Sequence, residues 1–185
     1  MFELDRFIEE CRSAYADDTT HKAVREVIAR AVADPGAVIQ GLGEPTQGGV
    51  HKLYHSPTLT ILNVVWAPRM TLLPHNHNMW AVIGVYSGRE DNIFWRRIED
   101  EGEAQIEAAG AKTMAPGMAT PLGHDIIHSV TNPTDRFTGA IHVYGGDFYD
   151  AHRSEWEPDN LTERPFDYDQ NTRRFEIANE AARIS

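Results

Sequence analysis

Between Val50 and Tyr144 the chain is cut every few residues by turn-forming sequence, and the pieces between the cuts are rich in β-branched and aromatic residues. Val50–His55, Thr58–Trp66, Met70–Leu73, His77–Tyr86, Asp91–Ile98, Gln105–Ala108, Lys112–Met114, Ala119–Thr120, Ile126–Asn132 and Phe137–Tyr144 each read as a strand. Ser87-Gly88, Gly102, Ala109-Gly110, Pro116-Gly117 and Asn132-Pro133-Thr134-Asp135 separate them. Strands this short and this regular predict an antiparallel sandwich or barrel. The acidic run Glu99-Asp100-Glu101-Gly102-Glu103 predicts a solvated hairpin tip.

Both ends of the chain read as helical. Phe2, Leu4, Phe7, Ile8 and Cys11 recur at helical spacing, as do Val24, Val27, Ile28, Ala31 and Val32. Thr19 or Thr20 is placed to cap the second helix, and Asp34-Pro35-Gly36 ends it. After Trp156 the chain turns polar and finishes in a helix over Gln170–Arg183. The expectation is one all-β domain with helical ends: residues 1–36 as an N-terminal helical segment, 50–153 as a β-barrel, and 154–185 as a C-terminal tail lying over the barrel or in a subunit contact.

Charge and length narrow the function. The 185 residues carry a formal charge of −11, which argues against nucleic-acid backbones and anionic membranes. No apolar run approaches the length of a spanning helix, and Met1-Phe2-Glu3-Leu4-Asp5-Arg6 lacks a signal-peptide pattern. A lone cysteine, Cys11, forms no internal disulfide and fits a reducing compartment, so a cytoplasmic protein is expected.

The histidines carry the chemistry. In Pro74-His75-Asn76-His77 two imidazoles stand at i, i+2, which on an extended segment puts them on one face. A third, His128 in Asp125-Ile126-Ile127-His128-Ser129-Val130, comes from another strand and would close a three-imidazole face around one metal ion. His124 is a rival third ligand, although Gly123 and Asp125 set it in a loop. His21, His51 and His55 read as surface or edge residues, Trp66 as core, and Trp80 as packing outward.

These motifs resemble the cupin superfamily, whose fold is the double-stranded β-helix or jelly-roll barrel. The resemblance is carried by His75-Asn76-His77 leading through a strand to Gly88, and by Pro121-Leu122-Gly123 followed by His128-Ser129-Val130-Thr131-Asn132. The acidic ligand that usually follows the second histidine is missing, since Ala81 and Val82 hold those positions. A carboxylate-free triad is similar to the cysteine dioxygenase family of thiol dioxygenases. Ala140-Ile141-His142-Val143-Tyr144 matches that family's Ser-x-His-x-Tyr relay, with Ala140 in place of the Ser. Val82 stands where animal-type members carry a crosslinked Cys, so no Cys–Tyr crosslink is expected. Arg153 sits near the spacing of the Arg in the branch that acts on 3-mercaptopropionate.

The resemblance implies a mononuclear non-heme iron dioxygenase. Fe(II), or another divalent metal, would be held by His75, His77 and His128, leaving open positions for a thiolate and O2. A small, anionic thiol would be oxidised to its sulfinate, with His142 and Tyr144 as catalytic residues and Arg153 as the substrate anchor, Arg96 or Arg97 being fallbacks. Other readings stand beside it. His142 and Tyr144 also fit a buried hydrogen-bonded pair, and Arg153 a surface ion pair with Glu155 or Asp150. The barrel as a whole also fits non-thiol metal chemistry or a non-catalytic metal- or ligand-binding cupin. A homo-oligomer is compatible with all of these.

Overall fold

The computed structural model describes residues 1–98 and 105–184; the expected hairpin tip at Glu99–Glu103 lies outside them. Three helices come first, α1 (Leu4–Asp17), α2 (His21–Val32) and α3 (Pro35–Leu42), and α4 (Tyr168–Ile184) comes last. Thr20 caps α2 by accepting from the Lys22 amide. Asp34-Pro35-Gly36 ends α2 as expected but also starts α3: Pro35 fills the first turn, where no amide donor is needed, and Asp34 accepts from the Ala37 amide. The helical segment therefore runs to Leu42 rather than stopping at residue 36.

Among the described residues eleven strands build two antiparallel sheets. They are β1 (Gly49–His55), β2 (Thr60–Trp66), β3 (Thr71–Asn76), β4 (Ala81–Ser87), β5 (Glu90–Ile98), β6 (Gln105–Met114), β7 (Ala119–Leu122), β8 (Ile127–Thr131), β9 (Thr138–Tyr144), β10 (Ser154–Trp156) and β11 (Glu163–Pro165). The first sheet is ordered β1-β2-β9-β4-β7 and the second β11-β10-β3-β8-β5-β6. Two antiparallel sheets in this order form a double-stranded β-helix, or jelly-roll barrel, with helices at both ends. Among the described residues no helix is long and apolar enough to cross a membrane.

Three local readings needed correction. Ala109-Gly110 does not break the chain: β6 runs through it, and a bulge lets Gly110 face Phe94 while Ala108 faces Trp95. The strand expected from His77 starts at Ala81, because Asn78 adopts φ 52° and turns the chain after β3. The tail supplies two strands, β10 and β11, that extend the second sheet.

The middle strands of the first sheet are buried on both faces, which explains the mostly apolar runs of β2, β4 and β9. One face (Leu62, Val64, Ala81, Ile83, Val85, Ala140) fills the barrel. The other (Ile61, Val82, Tyr86, Ile141, Val143) lies under α1 and α2 with Phe7, Val24 and Ile28. Gly84 permits the closest approach, since a Cβ there would meet Ile28 Cγ2 at 2.4 Å. Trp80 does point out of the barrel, packing near Tyr15 and donating to the Thr19 carbonyl at 3.0 Å.

Candidate metal centre

His75 lies in β3 directly opposite His128 in β8, and the turn after Asn76 carries His77 onto the same spot. The three ring centroids stand 4.6–5.0 Å apart, and the nitrogen atoms all lie within 4.8 Å of one another. All three side chains are buried. His124 is exposed and pairs with Asp125, so it is not the third member. Among the described residues no Asp or Glu joins the cluster; Ala81 faces the barrel and Val82 faces away from it.

The donor set suits a metal ion. Burial pushes the His75 imidazole down to about 4 and takes His77 and His128 well below the ordinary histidine value, the neighbouring imidazoles adding to the effect for the latter two. Neutral imidazoles are the form that binds a cation. Two tautomers are set by acceptors: His75 Nδ1 donates to the Leu73 carbonyl at 2.8 Å, and His128 Nδ1 donates to Asn92 Oδ1 at 2.7 Å. The Nε2 lone pairs of both rings are thereby free, and His128 Nε2 stands 3.4 Å from His77 Nε2. His75, His77 and His128 could therefore hold one cation; its identity is not fixed by three imidazoles.

Asn132, which completes the sequence motif with His128, is buried but does not join the triad. Its amide donates to the carbonyls of Trp66, Ala67 and Arg136, pinning the end of β8.

His142 and Tyr144 follow on the same face of β9 and are joined, Nδ1 to Oη, at 3.0 Å. Tyr144 touches His77 edge-on at 4.9 Å between centroids. Burial raises the Tyr144 phenol well above its usual value, so its proton is retained. Ala140, one inward step earlier, has no polar atom to offer His142. That place is taken by Glu90, at the start of β5, whose Oε2 lies 3.6 Å from His142 Nε2. Glu90 also accepts from Trp66 Nε1 at 2.8 Å and Asn92 Nδ2 at 3.0 Å. Burial raises the Glu90 carboxyl, but His142, Asn92 and Trp66 outweigh it and hold the group below the usual carboxylate range.

Arg153 is 6% exposed and does not pair with Glu155 or Asp150; Glu155 pairs with Arg164 instead. Its guanidinium carbon lies 4.0 Å from the Phe148 ring centre, 4.2 Å from Phe166 and 4.9 Å from Tyr168. Nε and Nη2 are buried without a hydrogen-bond partner among the described residues. A desolvated, unpaired cation is costly, so this fork could take an anion. The fallback arginines do not enter the cavity: Arg96 pairs with Glu107 and Arg97 with Glu163. Triad, Tyr144 and Arg153 line one cavity of about 340 Å³, closed on one side by α4.

Glu90, Asn92 and the aromatic ring around Arg153 were not singled out in the sequence. Glu90 and Asn92 left no alternation to read, because Asp91 between them is polar as well.

No family model matches the chain. Among solved structures it is similar to a cupin family protein with a double-stranded β-helix fold from Methanocaldococcus jannaschii (12% identity, 56% of this chain and 84% of that one, TM-score 0.43). It is also similar to an uncharacterized double-stranded β-helix protein from Klebsiella pneumoniae (11%, 60% and 81%, 0.46). A third likeness is to the DMSP lyase DddQ from Ruegeria pomeroyi (16%, TM-score 0.47), which covers 62% of this chain and 54% of the lyase.

Proposed function

We propose that this chain is an iron-dependent thiol dioxygenase that converts a small anionic thiol to its sulfinate. The observation that carries the reading is the buried triad of His75, His77 and His128 without a carboxylate, placed in one cavity with an unpaired Arg153. The net reaction is R–S⁻ + O2 → R–SO2⁻: both oxygen atoms join sulfur, which loses four electrons as O2 gains four. An Fe(II) ion held by the three imidazoles would supply the redox chemistry and the open positions for thiolate and O2.

The remaining roles belong to the chain. Arg153 would bind the substrate anion, its planar fork offering Nε and Nη2 together. Phe148, Phe166 and Tyr168 hold that fork in place and keep water from it. Tyr144 would present its hydroxyl to the reacting centre beside His77. Which way that hydroxyl points depends on His142. With its proton on Nε2, toward Glu90, His142 accepts the Tyr144 proton at Nδ1; with both nitrogens protonated, Nδ1 donates to the phenol oxygen and the Tyr144 O–H is released toward the cavity.

The test is anaerobic reconstitution with Fe(II), followed by O2 uptake and sulfinate analysis over a panel of small thiols. One O2 consumed per sulfinate formed supports the reading. Full metal occupancy with no thiol-dependent uptake rejects it and leaves metal chemistry on a non-thiol substrate, or binding alone.

A further inference from the structure

The strand registers sort the cavity into layers along the barrel. Glu155 pairs with His75, which in an antiparallel ladder sets Arg153 level with His77. His75 and His128 form the next layer. Beyond them, Val130 pairs with Leu72 one inward step along, and Val64 stands one inward step past Leu62, the partner of His142. Each such step is about 7 Å. Phe175 of α4 closes this far end by stacking on Trp66 at 5.5 Å and 20°. The metal position thus lies between a cation on one side and an apolar chamber on the other.

The barrel walls of the chamber are apolar, and the polar side chains of the same cavity at this end, Thr172 and Glu176 with Asn171, come from α4. Val64, Leu72, Val130 and Phe175 are apolar, and Trp66 Nε1 is already taken by Glu90. Asn179, on α4, spends its amide on both the N–H and the C=O of Gly48. Water against those apolar walls would find too few partners. The whole cavity, at about 340 Å³, falls in the range of small-molecule sites and exceeds what a three-carbon thiol acid fills.

We propose that the substrate carries an alkyl or aryl group on, or next to, the carbon that bears its metal-binding atom, on the side away from its anion. This deepens the reading above and rests on its anionic, metal-binding ligand. The substrate class is then a branched thiol acid rather than an unbranched one: the anion meets Arg153, the sulfur meets the metal, and the apolar branch fills the chamber against Phe175.

Calorimetric titration of the Zn(II)-loaded protein, which binds without turning over, tests this with two pairs of ligands. One pair is 3-mercaptopropionate and 3-mercapto-3-phenylpropionate; the other is the corresponding pair of 3-hydroxy acids. The phenyl-bearing member should bind about tenfold tighter or more, given the apolar area it buries. In Val64→Phe, which fills the chamber, that ratio should fall to about twofold or less; Val130→Phe replaces it if the first variant does not fold. An advantage seen only with the hydroxy acids rejects thiol chemistry and keeps the apolar chamber. Equal affinities within the pairs, an advantage that survives the filling variant, or no binding by any of the four overturns the proposal.

Discussion

The Nε2 of His142 stands 3.6 Å from the Oε2 of Glu90, and neither side chain reaches solvent. The gap is longer than a hydrogen bond but short for a buried charge beside an imidazole. Glu90 therefore does for His142 what the absent hydroxyl at Ala140 cannot, fixing where its proton resides. Glu90→Gln removes the charge and keeps the shape. Turnover is expected to fall on the order of 100-fold with metal content unchanged, within the usual range for positioned proton donors. Tyr144→Phe should cost about as much, and the double variant little more, because the residues act through one proton. Thiol-dependent O2 uptake beside metal analysis reads this; costs that multiply would separate Glu90 from Tyr144.

Asn92 links the same carboxylate to the metal side, donating to Glu90 and accepting from His128. Asn92→Ala frees the His128 ring to rotate and to change tautomer. Metal affinity should drop about 10–100-fold, measured by competition with a chromophoric chelator. An unchanged affinity would mean that packing alone orients His128.

How much of this could be read from the residues depended on the range of the signal. His75, His77 and His128 were legible because alternation along strands is local and the motif spacing is short. Likewise β2, β4 and β9 announced themselves as apolar runs. The β6 bulge at Gly110 was not legible, since a glycine that bends a strand looks the same as one that ends it. Glu90 was hidden because its burial depends on Trp66 and His142, from distant strands. The cage around Arg153 was hidden for the same reason. Phe148, Phe166 and Tyr168 lie in polar sequence with no periodicity, and β10 and β11 are three residues each, too short to show a pattern.

Arg153 gives a test of substrate charge. Arg153→Met removes an unpaired buried cation, so stability should hold or rise, unlike the loss that follows breaking a buried pair. A charge-assisted hydrogen bond is worth about 1.5–3 kcal/mol, so KM for an anionic thiol should rise at least about tenfold, with a smaller change in kcat. Thermal melting and steady-state kinetics check the two halves. An unaltered KM would place the anion elsewhere.

The triad also makes the metal-free protein acid-sensitive. His75 titrates near 6.5 when unfolded and at about 4 when folded, so between those values the unfolded chain binds more protons. The stability from its neutral form is complete above pH 6.5 and is lost as pH falls through 4, to the extent of about 3 kcal/mol. His77 and His128 shift in the same direction and add to it. Urea midpoints in the presence of a chelator should therefore fall steeply from pH 7 to pH 4.5. His75→Asn should flatten part of that slope; an unaltered slope would assign the acid sensitivity to other groups.

Cys11 matters to any thiol assay because it is the only thiol in the chain. It is fully buried in α1, within the cluster that holds Val24, Ile28 and Ile141. Burial pushes its thiol up to about 12, so at pH 8 almost none is thiolate. Two independent barriers, access and ionisation, thus protect it from reagents and from oxidation. In the native protein a disulfide reagent at pH 8 should release no chromophore within minutes, and one equivalent after unfolding in urea. Rapid native reaction would mean that α1 lifts from the sheet on the assay timescale, exposing a core that α1 otherwise seals.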